Sequence, residues 1–282
     1  MKLISGKEIS GIIREQIKNE TAELKKEGIV PGLAVIIVGN DPASMVYVRN
    51  KEKACEEMGF YSEKYELAEN TSEEELLSLI DKLNNDDKID GILVQLPLPR
   101  HLSEKTVTDR IIPSKDVDGF HPENVGNLLI GADGFAPCTP AGVMDMLKTE
   151  GIDVNGKNAV VIGRSNIVGK PMALMLLAAN ATVTVCHSRT KNLSEICRTA
   201  DILVAAVGRP KFVTADMVKE GAVVIDVGIN RLDNGKLCGD VDFDAVSQKS
   251  AYITPVPGGV GPMTITELMK NTLISAKKSK KV

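Results

Sequence analysis

The alternation of strand-like apolar segments with helical segments constrains this chain more than any other feature of its sequence. Six such segments recur along most of its length, at residues 33–38, 92–94, 159–162, 182–186, 202–207 and 223–227. Segments of this kind are typical of parallel strands that helices cover on both faces of a sheet. The alternation therefore predicts an α/β fold with a doubly wound parallel sheet.

Capping residues precede several of the helical segments. Ser5 is followed three residues later by Glu8, which is the pattern of a capping box. Asp41-Pro42 and Thr139-Pro140 each place a capping side chain before a proline that suits the first helical turn. These signals predict helices after Ser5, after Asp41 and from Thr139 to Leu147.

Two series of strands and helices follow one another, and they predict two α/β lobes. The first lobe is expected over residues 1–138, and the second, with the doubly wound Rossmann-like sheet, over residues 139–261. A last helix begins near Pro262 and reaches a tail rich in lysine. We expect this segment, 262–282, to return to the first lobe and complete it.

Charge and composition exclude several classes of function. The formal net charge is −4, which argues against a nucleic-acid partner, and the lysines of the tail are interpreted as a solvated helix end. The residues Met1–Glu8 lack the apolar core of a signal peptide, and no apolar stretch is long enough to span a bilayer. The five cysteines are scattered, odd in number and without a Cys-x-x-Cys pair, which argues against disulfides and favours a reducing, cytoplasmic location. Neither they nor the three histidines have the spacing of metal ligands, so we expect no metal.

A glycine-bearing turn follows the strand-like segment at 159–162. A turn in this position of a Rossmann fold holds a pyrophosphate, because the next helix begins with unpaired N–H groups. Gly163 begins the turn, but Ser165 stands where the usual fingerprint has its second glycine. The motif alone is therefore compatible with an ordinary turn as well as with a dinucleotide site.

The next strand-like segment ends in residues that favour NADP over NAD. An NAD site usually carries an acidic residue there, which binds the ribose 2′-hydroxyl. Here Ser188 and Arg189 take that place, and Arg164 lies in the glycine turn. A guanidinium binds phosphate through a planar fork, although Arg189 is also compatible with a solvated surface charge. Ile229, after a further strand, suits either the nicotinamide pocket or plain packing.

Four polar residues of the first lobe are candidates for chemistry. Tyr47 and Lys51 are four positions apart, so they share one helical face. Such a pair relays a proton if burial lowers the lysine pKa, but it is also compatible with a packed ring and a snorkelling stem. Gln95 ends a buried strand, and Asp118 lies in a loop before the second lobe. A segment dense in proline and glycine, 254–264, suits close approach to a flat ligand or a rigid hinge.

Taken together, these motifs resemble the bifunctional methylenetetrahydrofolate dehydrogenase/methenyltetrahydrofolate cyclohydrolase family. They occur in the family's order and span almost the whole chain. The motifs are Asp41-Pro42-Ala43-Ser44 with Tyr47 and Lys51, Val94-Gln95-Leu96-Pro97-Leu98-Pro99, Lys115-Asp116-Val117-Asp118-Gly119-Phe120, Pro137-Cys138-Thr139-Pro140, Gly163-Arg164-Ser165, and Pro257-Gly258-Gly259-Val260-Gly261-Pro262-Met263-Thr264.

The resemblance implies a role for each candidate residue. Lys51 is the central catalytic residue of the cyclohydrolase step, Tyr47 stacks beside the folate and assists, and Gln95 bonds to Lys51 and helps to set its protonation state. Asp118 grips the amino edge of the pterin. Further folate contacts are implied for Val94, Leu96, Pro257, Gly258, Gly259 and Val260. NADP contacts are implied for Gly163, Arg164, Ser165, Ser188 and Ile229, and Arg189 is a further candidate.

The resemblance also implies what the chain does. An enzyme of this family oxidises 5,10-methylenetetrahydrofolate with NADP and hydrolyses the methenyl product to 10-formyltetrahydrofolate, in one-carbon metabolism and purine biosynthesis. Its expected partners are tetrahydrofolate derivatives and a second copy of the chain. Two alternatives stay open at this point, a dehydrogenase without the hydrolytic step and an NADP-binding module without catalysis.

Overall fold

The computed structural model describes residues 1–232 and 234–280, and these form two compact units. One unit consists of Met1–Gly11 and Pro137–Thr264, and we name it the six-stranded unit after its main sheet. The other consists of Ile12–Ala136 and the residues from Ile265 onwards, and we name it the three-stranded unit.

The three-stranded unit is built on a small parallel sheet. Its strands are β2 (Gly32–Val38), β3 (Tyr61–Leu67) and β4 (Gly91–Val94), in the order β3-β2-β4. All seven residues of β2 are buried, as expected for a central parallel strand with an uninterrupted apolar sequence. Its helices are α2 (Pro42–Met58), α3 (Glu73–Asn84), α4 (Glu104–Arg110) and α5 (Pro122–Ile130).

The six-stranded unit contains the predicted Rossmann-like sheet. The strands are all parallel, in the order β1-β11-β8-β7-β5-β6. They are β1 (Lys2–Leu3), β5 (Asn158–Ile162), β6 (Thr182–Cys186), β7 (Ile202–Ala205), β8 (Val223–Asp226) and β11 (Tyr252–Ile253). A separate antiparallel pair joins β9 (Asn230–Arg231) to β10 (Leu237–Cys238). The helices of this part are α6 (Cys138–Thr149), α7 (Gly169–Ala178), α8 (Leu193–Cys197) and α9 (Phe243–Val246).

The first residues of the chain group with the six-stranded unit, whereas the sequence placed residues 1–138 in one lobe. The reason is strand pairing, because β1 pairs in parallel with β11 through Lys2–Tyr252 and Leu3–Ile253. Helix α1 (Gly6–Lys26) then carries the chain into the three-stranded unit. The last helix, α10 (Val260–Lys280), contributes its residues from Ile265 to the three-stranded unit.

Several boundaries in the six-stranded unit differ from the predicted ones by a few residues, and two of them have a clear physical reason. Thr139 does not cap α6, because the helix begins at Cys138 and the Thr139 hydroxyl lies 2.9 Å from that of Thr264. The strand predicted at 202–207 ends at Ala205, since the N–H of Val207 donates to the side chain of Asp240.

Candidate active site

A buried lysine bonded to a glutamine is the chemical centre of the three-stranded unit. Lys51 lies on α2 with 7% of its surface exposed, and its Nζ donates a hydrogen bond to Oε1 of Gln95 at 2.8 Å. The Nε2 of Gln95 donates to the carbonyl of Leu96 at 2.7 Å. That second bond orients the amide so that its oxygen faces the lysine. The two residues therefore form a fixed donor–acceptor pair.

Local sequence explains why Lys51 is buried. Helix α2 begins as predicted at Asp41, whose carboxylate accepts from the N–H of Ser44 at 2.7 Å. Val48 and Cys55 are buried on the face that also carries Lys51, because residues three and four positions apart share one side of a helix. Gln95 directly follows β4, and its backbone N–H donates to Ile36 in β2.

Tyr47 lies one helical turn before Lys51, as its spacing predicted. It keeps 37% of its surface exposed, and the partial burial of its hydroxyl raises its pKa above the ordinary value. The phenol is therefore protonated at neutral pH and presents both a ring and a hydrogen-bond donor to a ligand.

The loop that carries Asp118 is held by a neighbouring carboxylate. Asp116 is buried, and its Oδ2 accepts from the N–H of His121 and from Nδ2 of Asn124, each at 2.8 Å. Gly119 follows Asp118 with φ of 74°, a left-handed turn that glycine adopts without strain. Asp118 itself is half-buried in this anchored loop. Val94 is buried at the end of β4, and Leu96 precedes Pro97 through a cis peptide.

The segment Pro257–Val260 belongs to the six-stranded unit, and contacts within the chain explain its glycines. A Cβ atom on Gly259 would lie 2.3 Å from the carbonyl oxygen of Pro255. Gly258 has φ of 96°, and its carbonyl accepts from the N–H of Lys7 at 3.0 Å. Val260 is buried at the start of α10. The folate contacts implied for these residues stay predictions.

The predicted glycine turn after β5 is packed backbone against backbone. Gly163 has φ of 129°, and a Cβ atom there would lie 2.2 Å from the carbonyl oxygen of Ala206. A Cβ atom on Gly169, the first residue of α7, would lie 2.3 Å from the carbonyl oxygen of Gly163. Ser165 stands where the usual fingerprint has a glycine, and its side chain stabilises the turn, because its Oγ accepts from the N–H groups of Val168 and Gly169. This turn therefore needs glycine at two positions and a hydroxyl at a third.

A cavity of about 470 Å³ opens beside this turn, and it brings three of the predicted cofactor residues together. Gly163, Arg164 and Ser188 line it. Arg209 also lines it, and its guanidinium lies 5.0 Å from the centre of the Phe212 ring. Among the described residues that line the cavity there are two guanidinium groups and no carboxylate. The cavity is therefore suited to a phosphate-bearing ligand.

Three predicted cofactor residues are not among those that line this cavity. They are Ser165, Arg189 and Ile229. Arg189 is exposed, and its backbone N–H donates to Nδ1 of His187. Ile229 keeps 45% of its surface exposed and lies beside Gly261 at the start of α10. Their cofactor contacts stay predictions.

Sequence reasoning did not assign Arg209, His187 or Thr190 to the site, although all three line the cavity. A signal for Arg209 was present, because it follows β7 on the chain and ligands of such sheets bind at the carboxyl ends of strands. Within the described part of the chain, no cluster of His, Cys, Asp and Glu side chains is arranged to hold a metal ion. Nor does any helix of residues 1–232 and 234–280 have the length and apolar character to cross a membrane.

Comparison with known proteins gives matches along nearly the whole chain. Residues 4–118 match the catalytic domain of tetrahydrofolate dehydrogenase/cyclohydrolase, and residues 137–280 match the NAD(P)-binding domain of the same enzymes. The bifunctional protein FolD of Acetivibrio thermocellus is 63% identical over 276 residues, which are 98% of this chain and 97% of that protein.

Solved structures of enzymes with these two domains also match nearly the whole chain. The bifunctional FolD methylenetetrahydrofolate dehydrogenase/cyclohydrolase of Campylobacter jejuni is 58% identical, with a TM-score of 0.97 over 99% of each chain. The methylenetetrahydrofolate dehydrogenase-cyclohydrolase of Trypanosoma brucei, complexed with NADP cofactor and inhibitor, is 40% identical. Its TM-score is 0.95, and the match covers 99% of this chain and 98% of that one.

Proposed function

Because the chain belongs to the tetrahydrofolate dehydrogenase/cyclohydrolase family, we propose that its two sets of site residues serve two consecutive reactions. The enzyme oxidises 5,10-methylenetetrahydrofolate to 5,10-methenyltetrahydrofolate with NADP, and it hydrolyses that product to 10-formyltetrahydrofolate. The observation that carries the hydrolytic assignment is the buried Lys51 with its bond to Gln95.

The cavity beside Gly163 fits the cofactor NADP. Its lining offers a close backbone approach at Gly163, the Ser188 hydroxyl, and the guanidinium groups of Arg164 and Arg209. A cavity with no acidic residue to bind a ribose 2′-hydroxyl favours the 2′-phosphate of NADP over NAD. Bound NADP supplies the acceptor for the hydride of the folate methylene carbon. In this step the chain orients the two reactants, because the nitrogens of folate already stabilise the cation that forms.

Hydrolysis of the methenyl group needs proton transfers, and we assign them to Lys51. Water adds to the carbon that joins N5 and N10, and the bond from that carbon to N5 then breaks, leaving a formyl group on N10. When the amine of Lys51 is neutral, it accepts a proton from the water and returns one to N5, and a second proton leaves to solvent. Gln95 holds the amine through a hydrogen bond of 2.8 Å and so fixes its position beside the end of β4.

The other folate contacts follow from chemistry. The carboxylate of Asp118 accepts N–H groups from the amino edge of the pterin, and Tyr47 offers its exposed ring face for stacking. Val94 and Leu96 supply apolar surface for the folate in the three-stranded unit, and Pro257–Val260 are the folate contacts proposed in the six-stranded unit. Ser165, Arg189 and Ile229 complete the set of proposed cofactor residues.

An assay that follows both products separately tests this function. Purified protein with 5,10-methylenetetrahydrofolate is expected to reduce NADP faster than NAD, since the cavity lining carries guanidinium groups and no carboxylate. We expect 10-formyltetrahydrofolate to accumulate faster than uncatalysed hydrolysis allows. Reduced cofactor with only the methenyl product would remove the cyclohydrolase activity from the proposal, and a preference for NAD would contradict the phosphate role of the arginines.

We also propose that the chain acts as a homodimer in the cytoplasm and that its product is consumed in purine biosynthesis. The five cysteines are free thiols, and four of them are buried, which supports a reducing compartment. The dimer is supported by β6, an edge strand of the six-stranded sheet that pairs with β5 alone in the described part of the chain. The N–H of Thr182 donates to Lys157, and the carbonyl of Cys186 accepts from Gly163, so the alternate residues Val183 and Val185 direct their backbone groups to the open edge.

Placing a charge on this edge should separate the dimer. Val185 is 39% exposed, and a two-fold axis at the edge would bring two copies of a Val185→Lys substitution close together. We expect dimerisation to weaken by at least about tenfold, measured by sedimentation equilibrium. The control is Val30→Lys, a valine of similar exposure in the three-stranded unit, which should leave the association unchanged. A dimer of undiminished strength in the Val185→Lys variant would exclude β6 as the interface.

A further inference from the structure

Two buried aspartates, one at the end of β8 and one shortly after β10, are linked by a hydrogen bond, and the proposed reactions use neither of them. Asp226 is the last residue of β8, and Asp240 follows β10. Their exposed fractions are 3% and 0%. Buried carboxylates are rare unless their oxygens are hydrogen-bonded, so the partners of these two define what they do.

Asp240 binds one wall of the cofactor cavity. Its Oδ2 accepts from the N–H groups of Val207 at 2.6 Å and Gly208 at 2.9 Å, and its Oδ1 accepts from the N–H of Arg209 at 2.9 Å. Oδ1 also accepts from Nδ2 of Asn230 at 2.9 Å. One carboxylate therefore holds three successive backbone N–H groups of a segment whose residues Val207 and Arg209 line the cavity.

Asp226 in turn holds Asp240. Its Oδ1 accepts from the N–H of Asp240 at 2.9 Å and of Gly228 at 3.0 Å, and its Oδ2 accepts from the N–H of Val241 at 2.9 Å. Two glycines leave room for the carboxylates. A Cβ atom on Gly228 would lie 2.2 Å from Oδ1 of Asp240, and one on Gly239 would lie 1.8 Å from Oδ2 of Asp226.

We propose that Asp240 is a positioning residue for the cofactor, which fixes the 207–209 wall of the cavity, and that Asp226 positions Asp240. The inference rests on the proposed role of that cavity. Neither carboxylate is among the residues that line the cavity, so their charges face backbone N–H groups and not an anionic ligand. Asp240 also fixes the backbone of Arg209, and thereby the Cα position from which the side chain extends to the Phe212 ring.

Asparagine at position 240 is a sharp test, because all four groups that face the carboxylate are donors. An amide NH₂ in the Oδ2 position would face the N–H groups of Val207 and Gly208. If the NH₂ took the Oδ1 position instead, the side-chain amide of Asn230 could rotate so that its oxygen accepted from it. The NH₂ would still face the N–H of Arg209. Every orientation therefore leaves at least one N–H of the cavity wall opposite another donor, although the size of the side chain is unchanged.

Binding of NADPH, followed by its fluorescence, measures the effect without requiring turnover. We expect Asp240→Asn to raise the NADPH Kd by about tenfold. The NADP KM should rise in parallel, while kcat at saturating NADP and the hydrolysis of 5,10-methenyltetrahydrofolate change little. The matched control is Asp201→Asn, in which the lost carboxylate also accepts a backbone N–H, from Asn158, but lies where β5 and β7 begin. That variant should bind NADPH like the parent protein.

A second variant keeps the inference testable if Asp240→Asn folds poorly by circular dichroism. Burial raises the pKa of Asp226 to about 6, so the enclosed charge is itself costly, and removing it offsets part of the loss when an amide faces the three N–H partners of this side chain. Asp226→Asn acts on the wall only through Asp240, and we expect it to raise the NADPH Kd by about threefold. A folded Asp240→Asn variant, or failing that Asp226→Asn, with an unchanged Kd overturns the inference. If the parent protein binds NADPH but turns over no folate, the proposed function fails and the positioning role still stands.

Discussion

Replacing Lys51 by methionine should abolish the hydrolysis of 5,10-methenyltetrahydrofolate and leave measurable reduction of NADP. Methionine has nearly the length of the lysine stem, so it fills the buried position on α2 without bringing a charge or an amine. The hydrolytic step loses the group that accepts and returns protons, and the expected loss is about a thousandfold. The hydride step needs orientation and no acid or base, so it should fall far less. Stopped assays of the methenyl and formyl products, beside the absorbance of NADPH, measure the two steps separately.

The control for this substitution is a lysine on the same helix. Lys53 is exposed on α2 and forms a surface ion pair with Glu57 at 3.9 Å, which contributes little to stability. Lys53→Met should therefore keep both activities. Equal loss of both activities in a folded Lys51→Met protein would show that the lysine serves binding or folding and not the hydrolytic step alone.

The sequence predicts the elements of this fold well where local signals decide. The Asp41 cap, the buried run of β2 and the Ser5 side chain that accepts from the N–H of Glu8 are properties of a few neighbouring residues, and each is present in the structure. The bond between Lys51 and Gln95 joins residues 44 positions apart. Only the resemblance to a family implied it, since helical spacing says nothing about which strand end faces the helix.

Features that depend on contacts between distant parts of the chain could not be predicted from the sequence. Strand β1 has two residues, too few to show a pattern, and only its pairing with β11 defines it. Arg209 reaches the cavity because Asp240, 31 residues later, fixes its backbone. The residues around Arg209 do not indicate a contact with Asp240, and those around Asp240 do not indicate one with Arg209, so neither local pattern predicts the hydrogen bond.

The second large effect is expected at Gly163, where alanine should reduce NADP-dependent oxidation by about a hundredfold. The new Cβ atom would lie 2.2 Å from the carbonyl oxygen of Ala206, so either the turn after β5 or the chain after β7 must move. A displacement of about 1 Å at a binding site costs on the order of a hundredfold in rate. Hydrolysis depends on Lys51 and Gln95 in the three-stranded unit and should persist, as an assay started from 5,10-methenyltetrahydrofolate would show.

A second glycine separates a local effect on the turn from a general loss of stability in the unit. Gly156 lies in the same unit with φ of 72°, but a Cβ atom there would meet nothing within 4 Å. Gly156→Ala therefore carries the strain of a left-handed alanine, of about 1 kcal/mol, without a displaced backbone. If the two variants lost oxidation equally, strain in the unit would explain the result. If only Gly163→Ala loses it, the loss is local to the glycine turn, where both the close approach to Ala206 and the backbone angle of Gly163 require glycine.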